Sequence, residues 1–178
     1  MDIKSLSAPL PISAVEFRVQ SINNGGYATL LAYKNARVDM QRLDDAVGPL
    51  MWKRRHCMNN HNCVVSIYDA ETAQWIDKED TGSESSAEAA KGLASDSFKR
   101  ACTNWGIGRE LYNYPNISIL LNDDEWSKET KKATWKLQIK HWIWYAEHDE
   151  NGEVSFLAGK DNNGQVRFKW GEQAPKEA

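Results

Sequence analysis

The sequence predicts an α+β fold: an antiparallel sheet and hairpin packed against helices, plus a small C-terminal β-meander. Three observations predict it. Apolar and polar residues alternate on both sides of Asn23-Asn24-Gly25-Gly26, as in two strands joined by a tight turn. Two stretches, 36–47 and about 85–105, instead repeat their apolar residues at helical spacing. The last third alternates again and is broken by Asn151-Gly152 and Asn162-Asn163-Gly164, so a three-strand meander is expected.

Residues 1–11 read as a flexible arm, and residues 12–115 as the main domain. In its first strand Val15, Phe17 and Val19 alternate with Glu16, Arg18 and Gln20; Tyr27–Tyr33 returns as the second. Asn35 caps a helix over 36–47, with Met40, Leu43 and Val47 on one face and Gly48-Pro49 as its stop. Strands are expected at 51–57, 63–70 and 73–77. The second helix opens on a Ser85–Glu88 capping box. Its spacing puts Ala90, Leu93, Ala94, Ala101, Cys102 and Trp105 on one side and Ser95, Asp96, Lys99, Arg100 and Thr103 on the other. Gly106 ends the helix, and the turn Gly106-Ile107-Gly108 delivers Arg109. Residues 116–132 are charged and read as a linker or short helix, 133–170 as the meander, and 171–178 as a disordered tail.

A chain of 178 residues that is 41% apolar buries a substantial core. No apolar run reaches the ~20 residues of a membrane helix, and the N-terminus lacks the apolar stretch of a signal peptide. A cytoplasmic protein with Cys57, Cys63 and Cys102 reduced is therefore expected. The net charge of −3 argues against a polyanion binding the molecule indiscriminately. The cations are unevenly spread, however. Acids more than about 10 Å from a basic strip are screened from it. Arg18, Lys34, Arg37, Lys53, Arg54, Arg55, Lys99, Arg100 and Arg109 are the candidate phosphate contacts.

Other chemistry has little support. Cys57, His61 and Cys63 are irregularly spaced and no second cysteine pair follows, so no metal is expected. Gly106-Ile107-Gly108 lacks the Lys-Ser/Thr of a phosphate-binding loop, and no nucleophile-base set stands out among four histidines. No catalytic residue and no cofactor are therefore expected. The acids at 77–88 (Asp77, Glu79, Asp80, Glu84, Glu88) leave a metal-dependent nuclease as an alternative. Carboxylates clustered in one loop read more simply as solvated charge, since two-metal sites draw on several rigid elements. Most of the eight Trp and six Tyr are read as packing residues, Trp75 and Trp105 among them. Trp142 and Trp144 alternate with Ile143, which leaves apolar residues on both faces of the meander, as at an interface or at a contact with the main domain.

The segment GLASDSFKRACTNWGIGRELY (92–112) resembles the signature helix of the Rad52/22 family of single-strand annealing proteins, in its bacteriophage, Sak-like branch. VEFRVQ (15–20), LLAYKNARVDMQRLDDAVGP (30–49) with Trp52, and KEDTGSES (78–85) resemble the family in the same order over about 12–115. Two departures stand out. Glu110 occupies a usually aromatic position, and Lys53-Arg54-Arg55 is unusually basic. The resemblance implies a non-enzymatic, ATP-independent annealing protein of recombination and double-strand break repair. Single-stranded DNA would lie with its backbone in a basic groove of a ring or helical homo-oligomer, Lys99 and Arg100 lining that groove. The resemblance also allows a host single-strand-binding protein or a phage exonuclease as a partner, in the cytoplasm of a bacterial host. The alternatives are an accessory protein that protects single-stranded ends without annealing them, as in DdrA-like relatives, the nuclease, and a structural interaction module.

Overall fold

The computed structural model describes residues 2–83 and 89–173. A hairpin, β1 (Val15–Ile22) and β2 (Tyr27–Lys34), leads to α1 (Ala36–Val47). Strands β3 (Trp52–Cys57), β4 (Asn62–Asp69) and β5 (Gln74–Thr81) precede α2 (Ala89–Asn104). Then come β6 (Ile117–Leu120), the short β7 (Trp126–Ser127) and β8 (Lys132–Ala133), and a meander of β9 (Ile143–His148), β10 (Val154–Lys160) and β11 (Val166–Gly171). The α+β class with a C-terminal meander is the observed one. The Ser85–Glu88 capping box and most of the expected disordered tail, residues 174–178, lie outside the described residues.

The chain divides into two compact units: Met1–Leu10 with Lys34–Arg109, and Pro11–Tyr33 with Glu110–Ala178. In the first, β3-β4-β5 form an antiparallel sheet. One face of β4 presents Cys63, Val65 and Ile67 to Phe98, Ala101 and Cys102 of α2, with Leu43, Ala46 and Val47 of α1 completing the core. Asn35 caps α1 by accepting from the Arg37 N–H, and Gly48 ends it at φ 91°, where a side chain would be strained.

Residues 2–10 are not the loose arm expected. Leu6 and Leu10 are buried, and the Arg42 guanidinium donates to the carbonyls of Ser5, Ala8 and Pro9 at 2.6, 2.8 and 3.3 Å. Two large apolar side chains removed from water and a charged donor on three carbonyls offset the ordering of the segment.

The second unit holds the sheets β1-β2-β6 and β11-β10-β9. Asn23 Oδ1 accepts from the N–H groups of Gly25 and Tyr27 at 2.9 and 3.0 Å, which closes the hairpin. The grouping differs from the expected split after residue 115, because β2 pairs with β6 and ties the hairpin to the C-terminal part. Residues 116–132 likewise form β6, β7 and the start of β8 rather than a linker or helix. Glu125, counted among the linker's solvated charges, is instead buried: Arg167 donates to it at 2.8 and 3.0 Å and to Asp161 at 3.3 Å. The strand expected from residue 133 begins only at Ile143, after a 3-10 turn at Ile139–His141. Trp142 is buried, and Trp144 stacks on Phe17 at 3.8 Å between ring centroids, so both pack within their own unit.

Candidate nucleic-acid interface

Strand alternation and helix periodicity decide where each candidate cation points. On β3, Arg54 shares the α2-facing side of the sheet with Val65 and Lys78, its register neighbours, and its guanidinium lies 4.7 Å from the Phe98 ring centroid. Lys53 and Arg55 project from the opposite side. There Lys53 covers the Trp75 ring at 4.0 Å, and Asp77 and Glu79 stand in register across β4. The Lys53–Arg55 triplet is thus split between two faces, and the two cations on the outer face are offset by acids.

Helix α2 carries the next group. Arg100 is exposed, with Nε 3.6 Å from Asp80 Oδ1, and Lys99 is half-buried. Arg109 is exposed and donates to the carbonyls of Thr103 at 3.0 Å and Asn104 at 3.2 Å, closing the last turn of α2. Lys78, which the sequence did not single out, donates to the same Asn104 carbonyl at 2.8 Å and covers the Trp105 ring at 4.6 Å. Two cations at a helix C-terminus complement the partial negative charge of its unpaired carbonyls. Arg37 is exposed in the first turn of α1. Arg18 belongs to the other unit, where it lies 5.5 Å from the Tyr33 ring centroid.

Lys34 does not fit a phosphate contact. It is 5% exposed, its ammonium is paired with the buried carboxylate of Asp39, and it reaches the Lys99 carbonyl at 3.5 Å. Burial pushes the Asp39 carboxyl up to about 6, against the pull of Lys34 and Lys99. Helical and strand spacing give no warning of such a pair, since its partners belong to three different elements.

Trp75 is 40% exposed, contrary to the buried expectation, because β5 is an edge strand and its indole lies over the sheet against Tyr68 and Lys53. Trp105 is half-buried and donates from Nε1 to the Val65 carbonyl at 3.0 Å. Phe98, assigned to neither face by the sequence reading, is fully buried.

The acids of β5 do not converge. Asp77 and Glu79 face one side of the sheet and Asp80 the other, where it meets Arg100; Glu84 and Glu88 lie outside the described residues. Burial pushes the Cys63 thiol up to about 11 and the Cys102 thiol well above its ordinary value, so both are protonated packing groups. Burial and the nearby Arg54 hold His56 below its ordinary value. Among the described residues no three His, Cys, Asp or Glu side chains gather as a metal site would need, and no helix is long and apolar enough to cross a membrane.

Comparison with known proteins falls on this same region. Residues 56–132 match the Rad52/22 family double-strand break repair protein, a span that contains β4, β5, α2 and Arg109. The chain is 36% identical to the single-stranded DNA-binding protein DdrA of Deinococcus radiodurans, over 63% of this chain and 55% of that protein. It is 32% identical to the protein of the same name from Deinococcus deserti, over 67% of this chain and 61% of that protein. The chain therefore spans less than two thirds of the length of either relative. No solved structure matches it. Over its residues 56–132, the chain is similar to the Rad52/22 family.

Proposed function

We propose that this protein binds single-stranded DNA along the phosphate backbone and anneals complementary strands, without ATP and without catalysis, in recombination and double-strand break repair. The observation that carries the reading is the position of α2: it lies inside the family-matched segment and carries Arg100 exposed and Lys99 half-exposed. Arg100, Lys99, Arg54, Arg37 and Arg109 are the proposed phosphate contacts of the first unit. Lys34 is reassigned to holding the carbonyl of Lys99. Few cations on a net-acidic chain give weak binding singly. The reading therefore includes a ring or helical homo-oligomer whose repeated sites add up.

Annealing of complementary oligonucleotides, followed with and without divalent metal, tests this. Metal-independent annealing is expected. Strand cleavage that needs metal favours the nuclease instead. Light scattering tests the oligomer: a monomer that anneals efficiently refutes the shared site.

A second reading is binding and protection of single-stranded ends without annealing. It is favoured by the names of both relatives, which state single-stranded DNA binding alone. Binding together with nuclease protection, but no faster pairing than free strands show, would select it.

A further inference from the structure

The second unit carries an open groove of about 380 Å³, lined by Arg18, Val19, Trp135, Leu137, Gln138, Ile139 and Lys140. Its composition is selective. Val19, Leu137 and Ile139 make an aliphatic wall, Trp135 is 80% exposed beside them, and among the described residues no carboxylate lines the groove. Among the described residues neither Arg18 nor Lys140 is ion-paired. The carboxylate on the neighbouring strand position, Glu16, accepts the Tyr33 hydroxyl at 2.7 Å, while the Arg18 guanidinium lies over the Tyr33 ring. An indole left in water next to two unpaired cations fits a ligand with a flat apolar face and a negative charge.

Resting on the reading of the protein as a single-stranded DNA binder, we propose that this groove seats one nucleotide of the strand. The base stacks on Trp135 against the aliphatic wall, and its phosphate meets Arg18 and Lys140. An indole is a sequence-tolerant platform because every base has a π-face, and two cations suit a phosphate of any sequence. The seat lies outside the family-matched segment, and it gives Arg18 a role separate from that of the α2 cations.

The test uses the full chain, a thymidine oligonucleotide and an oligonucleotide of the same length without bases. Wild-type protein is expected to prefer the thymidine strand. Trp135→Ala should weaken thymidine binding about tenfold and erase the preference, whereas Trp135→Phe keeps most of both. Arg18→Gln with Lys140→Gln should lower the slope of log affinity against log salt by about 0.7, the value for one neutralised phosphate on a single strand. Trp135 is exposed, so an unchanged melting curve is expected and separates loss of the seat from loss of the fold. Thymidine binding that depends on Lys99 and Arg100 but is indifferent to Trp135 overturns the seat and leaves the proposed function standing. Absence of any single-strand binding overturns both. Preferential capture of an acidic, apolar-ended peptide by the groove, competing with no DNA, overturns the seat in favour of a protein partner.

Discussion

The ammonium of Lys34 and the carboxylate of Asp39 form an ion pair closed off from water, with side chains 6% and 0% exposed. Asp39 Oδ2 has no hydrogen-bond partner, and the Lys34 ammonium also reaches the Lys99 carbonyl. The pair thus joins the end of β2, the first turns of α1 and the middle of α2. Removing one partner strands a buried charge. Lys34→Ala or Asp39→Ala should each cost about 3–5 kcal/mol of stability, and Lys34→Met with Asp39→Leu much less than their sum. Urea denaturation of the four proteins checks this, and additive costs would refute the coupling.

Asp39 also predicts a pH dependence. Its folded-state value, raised by burial to about 6, stands above the 3.8 of an unburied aspartate. Between those values the native state keeps a proton that the unfolded chain has lost, so this group's contribution to stability falls as pH rises from about 4 to about 6. His56 contributes the opposite slope: held below 6.5 by burial and Arg54, it resists protonation in the folded state and costs stability as pH falls below 6.5. Comparing wild type with Asp39→Asn isolates the carboxyl. The variant should show a steeper rise of stability with pH across this window, and identical pH profiles would contradict the burial account.

Lys99→Ala with Arg100→Ala should sharply reduce single-strand binding and annealing while the melting temperature hardly moves. Arg100 meets only a part-exposed Asp80 at 3.6 Å, and such pairs stabilise little. Trp105→Ala should do the reverse. It deletes the indole donor to Val65 and a part of the core, costing roughly 3 kcal/mol, so the fold weakens before binding does. Binding titrations at several salt concentrations, paired with thermal melts, separate the two. A cation variant that melts early while the Trp105 variant stays stable but cannot bind would reverse the assignment.

Local signals in the sequence carried far. The Asn35 cap and Gly48 stop bound α1 at Ala36–Val47, and Asn23-Asn24-Gly25-Gly26 closes the hairpin, because those residues act on their own backbone. What the sequence hid depends on distant partners. Lys34 reads as a surface cation until Asp39 and Lys99 are folded around it. Glu125 reads as linker charge until Arg167, far along the chain, closes on it. The loose-looking N-terminus is held through Arg42, whose helical position gives no hint of the three carbonyls it binds. In the candidate interface, strand alternation already separates Lys53 and Arg55 from Arg54. Which side faces α2 becomes legible only once β4 is seen to bury Cys63, Val65 and Ile67 there.

Gly82 gives the last prediction. It follows β5 directly, and its N–H donates to the His61 carbonyl at 2.7 Å, so the backbone there is fixed against the sheet. A Cβ at this position would stand 2.7 Å from the Ser97 nitrogen and 3.1 Å from the Leu93 carbonyl oxygen, both backbone atoms of α2. Neither can swing aside as a side chain tip would. Gly82→Ala must therefore push α2 away from the sheet, opening the contact that buries Phe98. A loss of about 1–3 kcal/mol is expected from the forced shift, together with weaker DNA binding because Lys99 and Arg100 ride on the displaced helix. Gly164→Ala is the control for glycine replacement as such: its Cβ would meet nothing within 4 Å, and only its φ of 78° opposes the change. If Gly82→Ala lowers stability no more than Gly164→Ala and leaves DNA binding intact, the close approach of β5 to α2 does not set the position of the cations.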